Sequence, residues 1–199
     1  MRKLILSLLF VLCLSFQASA WNPMVMGSGV GSSVCSTAND EALYVPTGQD
    51  GDSPNADAVY VANKLTFAAQ KTVTMYQFKS CDNSGSDTGS QTLCLYDDDG
   101  GGATSEPTTI VANSSINKAA STLGDCATQN QDDYELASSL VVSAGTYWVV
   151  AIEVDSADIL KEFDSSSGSG SERKCYSADG TNWTCADNKE YNFEVWGCN

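Results

Sequence analysis

Short apolar segments separated by turn-forming residues constrain the fold of this chain more than any other feature. Segments rich in Val, Thr, Tyr and Phe alternate with clusters of Gly, Ser, Asn and Asp, and no sustained helical periodicity follows the first twenty residues. This pattern is typical of an all-β chain. It predicts strands at Ala42–Val45, Ala58–Phe67, Thr72–Lys79, Gln91–Tyr96, Thr108–Ala112, Asp133–Ala137, Gly145–Val154, Ile159–Phe163, Arg173–Tyr176 and Tyr191–Trp196.

The strand beginning at Gly145 carries apolar residues on both of its faces. Alternation places Trp148 and Val150 on one face and Val149 and Ala151 on the other. A strand with two apolar faces is covered on both sides. Together with the short spacing of the other strands, it predicts a single antiparallel β-sandwich, that is, two packed sheets.

The first twenty residues have the three-part layout of a secretory signal peptide. Arg2 and Lys3 precede the apolar run Leu4–Phe16, and the small residues Ala18–Ala20 precede Trp21. This layout predicts cleavage after Ala20 and a mature chain secreted into the periplasm or the extracellular space. The apolar run is shorter than the roughly 20 residues of a membrane span, and no second run follows, so we expect no membrane insertion of the mature chain.

The predicted cleavage site and the predicted strands define the domain organisation. We predict a signal peptide at 1–20, a Gly/Ser-rich and partly β-stranded segment at 21–57, and the sandwich at 58–199.

Charge and histidine content narrow the function classes. The formal charge of −15 becomes −17 after cleavage, because the signal peptide removes two cations and no anion. Such an acidic chain repels phosphate backbones, so we expect no nucleic-acid partner. The chain has no histidine, which excludes Ser-His-Asp and Cys-His catalysis and histidine-based zinc sites.

Seven cysteines remain after the signal peptide, and in an oxidising compartment they are expected to form disulfides. Cys175 and Cys185 flank the predicted turn at Asp179-Gly180, so a bridge across that hairpin is the first expectation. The second is Cys94 with Cys126, and the third is Cys35 with Cys198. Cys81 is then left unpaired, either as a buried thiol or in an intermolecular bridge. These pairings are expectations, since the spacing of cysteines does not fix their connectivity.

Three motifs resemble a known class of secreted domain. They are Leu140-Val-Val-Ser-Ala-Gly-Thr-Tyr-Trp-Val-Val, Leu93-Cys-Leu-Tyr-Asp-Asp-Asp-Gly-Gly with Glu106-Pro107, and Asp179-Gly-Thr-Asn-Trp183. They are similar to the L-x-x-G-T-Y-W strand, the I-Y-x-D-x-G-G-x-P hairpin and the D-G-x-x-W turn of bacterial β-sandwich domains of the choice-of-anchor kind. The resemblance, over about Val59–Trp196, implies a jelly-roll-like fold and an extracellular setting without known enzymatic activity.

Two acidic loops are candidates for calcium binding. Asp97 and Asp99 lie beside three glycines, and Asp50 and Asp52 flank Gly51. Carboxylates and turn carbonyls are the oxygen ligands that calcium prefers. The alternative is that both loops are solvated turns, and we expect no cofactor to be required.

Two further patterns suggest ligand chemistry. Trp183, at the predicted disulfide-bridged hairpin, and Tyr176 could present flat apolar faces to a sugar ring, although such residues also pack onto the ends of sandwiches. Glu153 and Asp155 share a strand face, as the two carboxylates of a glycosidase would. That segment only faintly resembles the E-x-D-x-x-E strand of jelly-roll endoglycanases, because Asp158 stands where the second Glu would be.

The sequence therefore predicts a non-catalytic secreted β-sandwich module. Its role would be structural or adhesive, with a protein or glycan partner at the cell surface or in the extracellular space. The alternatives are a carbohydrate-binding module with a structural calcium ion, and a carboxylate glycosidase.

Overall fold

A computed structural model describes residues 35, 40–46, 51–55, 58–82, 88–123, 131–154, 159–164, 173–187 and 190–199, with backbone alone for 51–55, 82 and 159–164. These residues contain fourteen strands. The strands are β1 Glu41–Tyr44, β2 Gly51–Asn55, β3 Tyr60–Phe67, β4 Lys71–Asp82, β5 Ser90–Asp98, β6 Pro107–Ile110, β7 Ile116–Ala119, β8 Gln131–Val142, β9 Gly145–Val154, β10 Ile159–Asp164, β11 Arg173–Ser177, β12 Thr184–Asp187, β13 Glu190–Tyr191 and β14 Phe193–Cys198.

The strands form two antiparallel sheets. The first sheet has the order β1-β14-β4-β10-β13, with β8 also paired to β4 and β2 to β10. The second has the order β12-β11-β3-β9-β5-β6, with β7 also paired to β5. In the part of the chain described, the only helices are the 3₁₀ turns Gly102–Thr104 and Ala120–Thr122, and none is long and apolar enough to cross a membrane. The predicted all-β sandwich is confirmed.

Every predicted strand is present, the predicted strand Tyr191–Trp196 is divided between β13 and β14, and three strands were missed. The missed strands are β2, β7 and β12, and their sequences are GDSPN, INKA and TCAD. These segments carry few of the β-branched and aromatic residues that mark a strand in sequence. Their strand conformation comes from backbone pairing with β10, β5 and β11. Strands β1 and β2 lie in the segment predicted to be partly β-stranded, and they pair with β14 and β10 of the first sheet.

The core lies between the two sheets and is built from one face of each. Phe78 and Phe193 of the first sheet stack with their ring centroids 4.0 Å apart. Strand β9 of the second sheet contributes Val149 and Ala151, both fully buried. Burial of large apolar side chains from both sheets is the main favourable contribution to folding.

A second apolar layer covers the outer face of the second sheet. Its buried members are Ala62, Cys94, Tyr96, Trp148, Val150 and Cys175. The loop after β5 folds across this face, because Lys64 Nζ donates to Gly102 O at 2.5 Å and Arg173 Nε donates to Ser105 O at 3.2 Å. Strand β9 is therefore covered on both sides, which confirms the prediction made from its two apolar faces.

Two predicted disulfides are confirmed and one is wrong. Cys175 bonds to Cys185 across the β11–β12 hairpin, and Cys35 bonds to Cys198. Cys94, predicted to pair with Cys126, is instead a free thiol buried in the outer apolar layer. Cys81, predicted to be unpaired, is disulfide-bonded. The error arose because the sequence does not show that Cys94 points into that layer among Val150 and its neighbours.

The Cys94 thiol is expected to resist alkylation in the folded protein. Burial raises the pKa of this thiol to about 12, and the thiolate is the reactive form. Iodoacetamide treatment followed by peptide mass mapping should leave Cys94 unmodified in buffer and modify it in denaturant. Labelling of Cys94 in the native protein at the rate of a free exposed thiol would contradict this location.

Buried tyrosines are expected to make the fold sensitive to alkali. Burial raises the pKa of Tyr96 to about 12 and the pKa values of Tyr76, Tyr134 and Tyr191 further. An unfolded tyrosine ionises near pH 10, so the stability that these groups contribute is complete below that pH and declines as the pH rises towards the folded values.

The measurement is a pH titration of tyrosinate absorbance with near-ultraviolet circular dichroism on the same sample. The two signals should change together above about pH 10. The chain in concentrated urea is the control, and it should titrate smoothly. Ionisation of these tyrosines with unchanged circular dichroism would count against their burial.

Candidate functional site

The two predicted sugar-stacking residues lie on opposite faces of the second sheet. Tyr176 pairs with Val61, which belongs to the core between the sheets. Directly opposed residues of antiparallel strands share a face, so Tyr176 is on the inner side of the sheet, with 42% of its surface exposed. Trp183 packs in the outer layer instead, so these two residues do not form one platform.

Trp183 is held in place by aromatic neighbours and by the turn that precedes it. The rings of Tyr60 and Tyr96 meet the indole edge-on, with centroids 6.2 and 6.4 Å away. The indole is half-buried, and its nitrogen is buried. Trp183 therefore packs against the outer layer of the second sheet.

The turn at Asp179-Gly180 is formed as predicted. Gly180 has a φ of 72°, a left-handed conformation that glycine adopts without strain. The Asp179 carboxylate accepts hydrogen bonds from the backbone N–H groups of Asn182 at 2.8 Å and Thr181 at 2.9 Å. These backbone bonds, with one from the Asn182 side chain, lower the pKa of Asp179. Asp179 thus stabilises the turn that carries Trp183.

The aspartates at the C-terminal end of β5 and just after it accept hydrogen bonds from their own hairpin. Asp99 accepts backbone hydrogen bonds from Gly101 at 2.8 Å and Glu106 at 3.2 Å. The Asp97 carboxylate accepts a hydrogen bond from the side-chain hydroxyl of Thr109 at 3.4 Å. The two predicted calcium ligands are thus directed to different donors, and within the described ranges no group of three or more Cys, Asp or Glu could hold a metal ion.

The other predicted calcium loop is not described. Asp50 lies outside the described residues, and Asp52 is described by its backbone alone. Calcium binding there stays a prediction.

Asp98, which was not singled out from the sequence, links the loop to the outer layer. Its carboxylate accepts a hydrogen bond from the indole nitrogen of Trp148 at 2.8 Å and one from the Gly100 amide at 3.0 Å. Burial alone would raise the pKa of Asp98, but contacts with Ser105, Trp148 and Gly100, and the charge of Lys64, lower it. The charged carboxylate therefore acts as an anchor for the loop over this face.

One of the two carboxylates suggested for glycoside hydrolysis can be located. Glu153 lies on β9 opposite Gln91 of β5. Asp155 lies outside the described residues. A catalytic pair formed by Glu153 and Asp155 therefore stays a prediction.

An open groove lies on the outer face of the first sheet. It has a volume of about 470 Å³ and crosses strands β4, β8 and β14. Its walls combine an indole, apolar side chains, an amide, hydroxyls and three carboxylates. The lining residues are Cys35, Asp40, Thr74, Met75, Gln77, Asp133, Glu135, Leu136, Ala137, Ser138, Ser139 and Trp196.

Internal hydrogen bonds fix several polar groups of this groove. The Thr74 hydroxyl donates to Asp40 at 2.6 Å, and the Gln77 amide donates to Asp133 at 2.6 Å. The indole nitrogen of Trp196 donates to Glu194 at 2.8 Å, so the half-buried ring is held in one orientation. The groove therefore offers a fixed aromatic ring beside hydrogen-bonding groups.

The groove could not be assembled from the sequence. Its walls come from segments near residues 75, 135 and 196, which meet only because β8 and β14 flank β4. One local signal was available: Phe193 and Val195 alternate with Glu194 and Trp196, so the period of a strand places Trp196 on the face opposite the first two residues.

No known protein family, curated protein or solved structure matches this chain.

Proposed function

We propose that this chain is an exported, non-catalytic β-sandwich module with a structural or adhesive role at the cell surface or in the extracellular space. The groove over β4, β8 and β14 is the observation that carries the proposal, because it is an open contact surface on a disulfide-bridged body. Export is supported by the disulfides, which persist in oxidising compartments. The absence of histidine from the chain removes the common hydrolase triads.

The first experiment tests export and retention. Mass spectrometry of the protein recovered from the producing cells should show an N-terminus at Trp21. In a co-sedimentation assay, the purified mature protein should be retained by cell envelopes, and its heat-denatured, reduced form is the control. Recovery of the uncleaved chain in the cytosol would contradict export, and equal sedimentation of the native and control forms would contradict a specific adhesive surface.

A second candidate function, carbohydrate binding, is favoured by the composition of the groove. A fixed indole beside carboxylates, an amide and hydroxyls provides an apolar surface for a sugar ring and polar groups for its hydroxyls. Trp196 is therefore a better candidate for sugar stacking than Trp183, whose indole packs in the outer layer.

A glycan array separates these candidates. Glycan binding that is lost in Trp196→Ala and kept in Trp183→Ala supports binding in the groove. The reverse pattern would move the site to the hairpin, and no bound glycan would remove the carbohydrate hypothesis while leaving a protein partner. The glycosidase alternative requires that the wild-type protein hydrolyses a polysaccharide and that the Glu153→Gln variant does so more slowly.

A further inference from the structure

A cluster of buried polar side chains lies between β3, β11 and β13. Asn63 is fully buried, Glu190 is 1% exposed and Lys174 is 8% exposed. A lysine and a glutamate are rarely buried to this degree in a protein interior. Their burial in the sandwich, next to a carboxamide, calls for a chemical explanation.

The amine and the carboxamide project from adjacent strands towards the same residue. Lys174 is directly opposite Asn63 in the β11–β3 pair, so their Cβ atoms are about 4.5–5.5 Å apart on one face. Lys174 Nζ lies over the Tyr191 ring, 4.8 Å from its centroid. The Asn63 amide is held against the backbone of that same tyrosine, by a 2.6 Å bond to its carbonyl and a 2.7 Å bond from its N–H.

A phenol connects the carboxamide to the carboxyl group. Asn63 Nδ2 donates to the Tyr44 hydroxyl at 3.4 Å, and that hydroxyl donates to Glu190 Oε2 at 3.4 Å. The nitrogen of the Asn63 amide is thus joined to a buried acid through one hydroxyl group. This is a route by which a proton can reach a leaving nitrogen.

We propose that Lys174 and Asn63 form an intramolecular isopeptide bond that links β11 to β3. The Lys174 ammonium gives one proton to Glu190, and the neutral amine attacks Cγ of Asn63. A bond forms between Lys174 Nζ and Cγ, the bond between Cγ and Nδ2 breaks, and Nδ2 leaves as ammonia. The attacking amine loses its second proton to Glu190 while Glu190 returns one proton, through Tyr44, to the leaving nitrogen; Glu190 therefore ends protonated, and no oxidant or reductant is consumed.

The fold supplies the two conditions that this reaction needs. The strand pairing holds amine and amide together, which replaces a bimolecular encounter by an intramolecular one. Burial keeps water away from the tetrahedral intermediate and strengthens the proton transfers between the groups. The resulting cross-link joins residues that are far apart in sequence, as a disulfide would, and it is not sensitive to reductants.

The intact mass of the folded protein tests the proposal directly. After reduction of its disulfides, the mature chain should be lighter than its sequence mass by the mass of one ammonia. Tryptic digestion and fragmentation should then give one branched peptide containing Lys174 and Asn63. A folded chain with the full sequence mass after prolonged incubation at neutral pH would overturn the proposal.

Variants identify the groups that react. Lys174→Arg and Glu190→Gln should keep the full mass, whereas Asn63→Asp should lose one water instead of one ammonia. Lys64→Arg is the matched control, because Lys64 is next to Asn63 in β3 but on the opposite face, and it should still lose ammonia. Loss of ammonia in Lys174→Arg would assign the mass change to another amide and would also overturn the proposal.

Discussion

Replacement of both Cys35 and Cys198 by serine is expected to lower the free energy of unfolding by about 5 kcal/mol. This disulfide joins cysteines separated by 163 positions in the sequence. The loop that it closes in the unfolded chain is therefore long, and the loss of conformational entropy of that state is large. Urea denaturation under non-reducing conditions measures the change as a shift of the transition midpoint.

The hairpin disulfide provides the matched control for this experiment. Cys175 and Cys185 are separated by only 10 positions, so their replacement by serine should cost roughly 2–3 kcal/mol. The difference between the two double variants reports the effect of loop length. Equal losses would contradict this explanation, and would indicate that local contacts of each bridge determine its contribution.

Truncation of Trp148 to alanine is expected to cost about 3–5 kcal/mol of stability. The indole is fully buried in the outer layer of the second sheet, and its nitrogen donates to Asp98. Its removal leaves a cavity and also leaves a partly buried carboxylate oxygen without its donor. Denaturant unfolding of the variant measures the loss.

Two variants refine the interpretation of that loss. Trp148→Phe keeps most of the apolar volume but removes the N–H group, so it should cost less than Trp148→Ala. Trp196→Ala is the control at a half-buried position in the groove, and its effect on stability should be small. A cost for Trp148→Ala no larger than that for Trp196→Ala would contradict the burial of Trp148 by the loop after β5.

Local patterns were sufficient to predict most of the strands. Gly145–Val154 was predicted with its observed bounds, and its two apolar faces indicated cover on both sides. The hairpin disulfide followed from two cysteines placed symmetrically about a turn. These features depend on neighbours in sequence, where alternation and turn residues carry the information.

The contacts of single side chains were much harder to predict. Asp97 and Asp99 stand beside three glycines, and the hydrogen bonds that they accept from Thr109 and from backbone amides became visible only in the fold, while calcium binding there stays a prediction. Tyr176 and Trp183 were proposed as one platform, yet they lie on opposite faces of a sheet. In each case the contacts of the side chain depend on the direction in which it points from the folded sheet.

The sequence by itself determined the β-class, most strand positions and the hairpin disulfide, because these follow from periodicity and from turn chemistry. Only the tertiary structure decided which strands became neighbours. That arrangement left Cys94 as a buried thiol, assembled the groove around Trp196, and brought Lys174 beside Asn63. The physical reason is that strand pairing joins segments distant in sequence, and no local pattern specifies the partner of a strand.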